Sequence, residues 1–155
     1  MSTALDRVPI AARLLLGAVF VAHGINGFLN IVPQDLIPLA TTQVPERAVT
    51  FVAALLATGY VFPLVNAIEI VAGALLLANL FVPIALAALA PIVINMVFFY
   101  LVLAYVAPGG IVLALAMLGL EVYVTWTHRE AFRPMLAAHT GEKARRNHTH
   151  ALGAA

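Results

Sequence analysis

The chain has 155 residues, of which 63% are hydrophobic and only 10% charged, and its formal net charge is +1. A soluble domain of this size cannot hide so much apolar chain, so composition points to a membrane protein. It contains no cysteine, which excludes disulfides, thiol relays and cysteine-ligated zinc or iron–sulfur centres, and the near-neutral charge leaves no electrostatic footprint for nucleic acid.

The first apolar run, residues 9–29, is long enough to cross a bilayer at 1.5 Å rise per residue. It nevertheless carries Arg13, His23 and Asn26. Arg13, Gly17, Phe20, Gly24 and Gly27 recur at alternating spacings of four and three, which is one helical stripe, with His23 and Asn26 beside it. Small residues admit a close partner helix, and intramembrane polar groups face protein or a wet cavity. The run is too long, and its polar positions too one-sided, for a signal peptide.

Residues 30–45 read as a loop containing Pro33, Asp35, Pro38 and Pro45. Residues 46–58 read as a helix too short to span, placed at the interface or re-entrant. Span two begins at Pro63 or Leu64 and runs to Phe81, with Asn66, Glu69 and Gly73 on one face. A tight turn over residues 79–83 leads to span three, which runs to Val106, with Pro91 expected to bend it and Asn95 and Tyr100 as its polar positions. Residues 107–110 read as a plain turn before span four, residues 111–127, which carries Glu121 and ends at the interfacial Trp126. The expected architecture is an all-α integral membrane protein, a four-helix transmembrane bundle with an extra short interfacial helix between spans one and two. Residues 1–127 form the membrane domain and 128–155 a polar tail.

Arg7 and Arg13 flank the start of the bundle and Arg129 and Arg133 its end, against Arg47 alone between spans one and two. The positive-inside rule then puts both termini in the cytoplasm of a multi-pass inner (plasma) membrane protein. With that orientation, helix rise sorts the polar groups by depth. His23 lies about 21 Å along span one and Glu69 about 9 Å from the outer end of span two, the same height. Asn26, Asn66 and Tyr100 fall near that level, with Asn95 somewhat deeper. Arg13 and Glu121 lie about 6 and 9 Å from the inner edge and are expected to form a structural ion pair. The outer layer is either a hydrogen-bonded clasp or a site for a polar head group or protons. One His and one Glu make a poor metal set, and His148 and His150 in the tail read as solvated residues. The run Phe98-Phe99-Tyr100 reads as packing.

Arg13-Leu14-Leu15-Leu16-Gly17, His23-Gly24-Ile25-Asn26-Gly27-Phe28, Thr58-Gly59-Tyr60, Glu69 with Gly73-Ala74-Leu75-Leu76-Leu77, and Pro91-Ile92-Val93-Ile94-Asn95 together resemble the DoxX family. The resemblance implies a four-span bundle and kinship with the membrane subunit of thiosulfate:quinone oxidoreductase and with membrane partners of redox enzymes. Two positions depart from the pattern: Gly27 stands where the family often has Lys, and Tyr100 where it often has His. Three functions remain open. The first is an accessory redox subunit offering a quinone site, with His23, Asn26, Asn66, Glu69, Asn95 and Tyr100 as the candidate ligand layer and electrons supplied by a partner. The others are a non-catalytic anchor or scaffold for a partner protein, and a small-solute or proton pathway. Membrane lipid and a protein partner or second copy are the expected associates, and nucleic acid is not.

Overall fold

The computed structural model describes residues 7–31 and 45–136. The expected loop lies outside these except at its two ends, as does the tail beyond 136 with His148 and His150. Helix α1 (Arg7–Leu29) is followed by α2 (Glu46–Ala57), α3 (Val61–Ala78), α4 (Val82–Phe98), α5 (Pro108–Thr127) and α6 (Arg129–Leu136), with a π-helical turn Phe99–Leu103 continuing α4. Four of these segments are long and apolar enough to cross a membrane: α1, α3, α4 with its π turn, and α5. The short α2, of 12 residues, packs on the start of α3 and on the π turn.

α1 lies chiefly against α3, the next span in the chain, while α4 touches α3 and α5. The reason is in the small residues. A Cβ added to Gly17 would stand 2.8 Å from the Gly73 carbonyl oxygen, and one added to Gly73 would stand 2.8 Å from that of Gly17. Backbones this close exchange dispersion contacts that lipid cannot supply, and in a membrane this packing rather than the hydrophobic effect holds helices together. Leu16, Leu76, Leu86, Leu89, Val93 and Val124 fill the bundle axis and are sealed from solvent.

Three boundaries differ from expectation. α3 starts two residues before Pro63, because a proline in the first helical turn lacks only an N–H that has no partner anyway. It stops at Ala78 rather than Phe81, since Asn79 adopts a left-handed conformation (φ 57°) and the Leu80 N–H returns to the Leu75 carbonyl at 2.9 Å. Pro108, Gly109 and Gly110 are the first turn of α5 and not a plain turn; Pro108 sits where its fixed φ favours helix entry. Pro91 lies inside α4 without ending it. The tail begins as a helix, and Phe132 of α6 packs back onto the core. At that junction His128 donates from Nδ1 to the Val124 carbonyl at 2.9 Å.

Candidate functional site

The close α1–α3 contact builds the site. The two helices run antiparallel in one constant register: Arg13 meets Leu76, Gly17 meets Gly73, Gly24 faces the Asn66 backbone, and His23 meets Glu69. Gly24 and Gly27 are needed here, because a Cβ on either would strike Asn66, at 2.6 Å from its carbonyl oxygen in the case of Gly24. With no side chains in the way, His23 Nδ1 comes within 2.7 Å of Glu69 Oε2.

The two partners have opposite environments. The Glu69 side chain is 3% exposed and that of His23 is 70% exposed. With Glu69 Oε2 as the acceptor, Nδ1 is the donor of this bond. Nε2 is then left as the reactive nitrogen on the outward face, and no hydrogen bond occupies it among the described residues. Asn66 is buried one turn before Glu69, and Asn26 is half-buried one turn beyond His23. Such an arrangement can hold a hydrogen-bonding group at Nε2 and pass a proton across the ring toward Oε2.

The rest of the expected outer layer is placed elsewhere. Asn95 is exposed and lines a groove with Phe51, Leu55, Phe62, Val65 and Pro91, between α2, α3 and α4. Tyr100 lies in the π turn, edge-on to Phe99 at 5.3 Å, and its ring fills the space that a side chain at position 110 would need. No hydrogen bond links Asn95 or Tyr100 to His23 or Glu69 among the described residues. The outer layer is therefore one compact group on α1 and α3 plus two separate residues on α4 and its π turn.

The expected Arg13–Glu121 ion pair does not form. Both residues are buried, but Arg13 Nη1 donates to the Leu76 carbonyl oxygen, while Glu121 Oε1 has no partner among the described residues. The C-terminal end of a helix carries negative partial charge on its free carbonyls, so α3 offers Arg13 a partner as the sequence offers it a carboxylate. Asn79 was the available signal: as a left-handed cap it ends α3 at the level of Arg13.

A family model, DoxX, matches residues 8–105. The chain belongs to the DoxX family. The matched segment of this DoxX protein contains His23, Asn26, Asn66, Glu69, Asn95 and Tyr100, and ends before Glu121. No curated protein and no solved structure matches the chain in the corresponding comparisons. Family and architecture together identify a multi-pass membrane protein.

Proposed function

We propose that this DoxX protein is an accessory membrane subunit of a redox complex, and that His23 with Glu69 receives the carbonyl of a quinone. The observation that carries the reading is the pairing of an exposed imidazole with a fully buried carboxylate at 2.7 Å. A clasp serving only to hold two helices gains nothing from leaving its imidazole outward, where a buried amide would bond equally well. A quinone, when bound, accepts electrons and protons together. His23 Nε2 supplies the hydrogen bond, Glu69 holds the ring and compensates its charge, and the lipid-facing position gives an apolar body access. Asn95 and Tyr100 leave the ligand set on this reading; Asn26 and Asn66 stay beside it. On this reading electrons are supplied by a partner protein. The filled bundle axis, with Leu16, Leu89 and Val93 sealed inside, speaks against a solute pathway through one copy.

Both termini are proposed to be cytoplasmic, which puts His23 and Glu69 toward the outer leaflet; the support is Arg7, Arg13 and Arg129 at one end against Arg47 at the other. A reporter fused after residue 136 that is active only in the periplasm would reverse that placement.

The function is tested by extracting the protein with its partner in mild detergent and measuring bound quinone and partner activity. Glu69→Gln keeps a hydrogen-bond acceptor of the same length but removes the titratable carboxyl; it should fold normally and abolish activity. His23→Ala should lower bound quinone by about tenfold, the worth of one hydrogen bond of about 1.4 kcal/mol. A folded, fully active Glu69→Gln protein would leave the scaffold reading in its place.

A further inference from the structure

We infer that the groove between α4 and α5 binds an amphiphilic organic cation, an ammonium group on an apolar body, with Glu121 as its counter-ion. The groove has a volume of about 310 Å³ and is lined by Ala90 and Ile94 from α4 and by Leu118, Glu121, Val122 and Thr125 from α5, with Trp126 and Arg129 at its end. Glu121 is only 4% exposed, and its Oε1 is sealed without a hydrogen-bond partner.

A carboxyl group left in this state within a span costs free energy that a protein normally recovers through a partner. The cation nearest by sequence reasoning, Arg13, is committed to the Leu76 carbonyl. Arg129 opens α6, beyond the end of α5 at Thr127, and makes no ion pair with Glu121 among the described residues. It leans on the Trp126 ring at 5.3 Å and has Glu130 at 3.9 Å. No side chain among the described residues pairs with Glu121, which leaves the carboxyl open to a ligand.

The lining decides its chemistry. Ala90, Ile94, Leu118 and Val122 form the walls between Glu121 with Thr125 and the Trp126–Arg129 end, so the body of the occupant is apolar. Ile94 and Val122 are exposed on the lateral surface, so it enters from the hydrocarbon rather than through the bundle. A neutral apolar molecule would leave the carboxyl unpaired, and an anion would be repelled by it. One carboxylate and one hydroxyl are too few oxygens for a divalent metal ion. An ammonium N–H donates directly to the carboxylate, and rotation about the terminal side-chain bond brings either oxygen to it.

The chain has one tryptophan, Trp126, and it lines the groove, so its fluorescence reports occupancy. The full chain in zwitterionic nanodiscs is titrated with a long-chain alkylammonium brominated on its tail, with the brominated alcohol of equal length, and with the brominated fatty acid. The ammonium should quench Trp126 saturably, at a concentration about tenfold below the alcohol, as one charge-assisted hydrogen bond of about 1.4 kcal/mol requires. Glu121→Gln should erase that difference and leave the alcohol curve unchanged. Ala90→Leu, which narrows the groove without touching the carboxyl, should weaken ammonium quenching in a protein of native charge. Parallel, non-saturating curves for ammonium and alcohol would mean partitioning into lipid alone. Tighter quenching by the fatty acid would mean a site led by Arg129. Either result, or saturable ammonium quenching that survives both substitutions, overturns the inference.

Discussion

The α1–α3 contact and the α4–α5 contact solve the same problem in opposite ways. Both bury a charged side chain inside the bundle: Arg13 on one, Glu121 on the other. Between α1 and α3 the backbones approach until a methyl on Gly17 or Gly73 would strike the carbonyl oxygen of the other, and every buried charge meets a partner, Arg13 at the Leu76 carbonyl and Glu69 at His23. Between α4 and α5 a lateral groove remains, and Glu121 faces it without a partner among the described residues. In lipid, where apolar surface gains nothing by leaving the solvent, close packing and satisfied polar groups are what make one interface rigid and the other open.

The contrast breaks most severely at the glycines. Gly73→Leu should drive α1 and α3 apart and lower stability by about 3 kcal/mol or more, read as thermal unfolding in detergent. Gly119→Ala, on α5 with open space around its added methyl, should change almost nothing in the same assay. Arg13→Met comes next. It removes a buried donor from the Leu76 carbonyl and should cost about 1–2 kcal/mol, with the Asn79 cap preserving the end of α3. Glu121→Met should be neutral or stabilising by about 1 kcal/mol, since it removes a charge that contributes no protein contact. Smallest of all is the coupling between these two sites. The Arg13→Met and Glu121→Met effects should add within about 0.5 kcal/mol, the behaviour of residues that do not touch. A larger coupling energy would restore the ion pair.

The parts of the fold legible in the sequence were those governed by period and length. Four apolar runs, the stripe through Gly17 and Gly24 and the face carrying Asn66, Glu69 and Gly73 each obey helical spacing, so the spans followed from them, and the equal heights of His23 and Glu69 anticipated their meeting. Depth matching failed where height was taken for contact. Arg13 and Glu121 are expected at similar levels from helix rise, yet backbone carbonyls are invisible to a search for complementary side chains, and one of them claims the guanidinium. Tyr100 marks another limit: the π turn, closed by the Ala104 N–H to the Phe99 carbonyl at 2.8 Å, and the ring's seat over Gly110 of α5 are set by tertiary contact. No proline or glycine within residues 99–103 announces that turn. Boundaries moved for local reasons that capping explains, as at Asn79 and Pro108.

The register between α1 and α3 also bears on how the chain is made. Arg13 and His23 both lie in the first span to be synthesised, and both of their partners, Leu76 and Glu69, lie in α3. While only α1 has emerged from the ribosome, its guanidinium has no carbonyl to bind and its imidazole no carboxylate, so lipid is a poor destination for it alone. The unit that can leave the insertion machinery at low cost is the pair, α1 with α3, joined in its final register. Membrane entry and tertiary assembly are then one event for this half of the protein, and glycine substitutions at the contact should appear in cells as failed integration before they appear as altered activity.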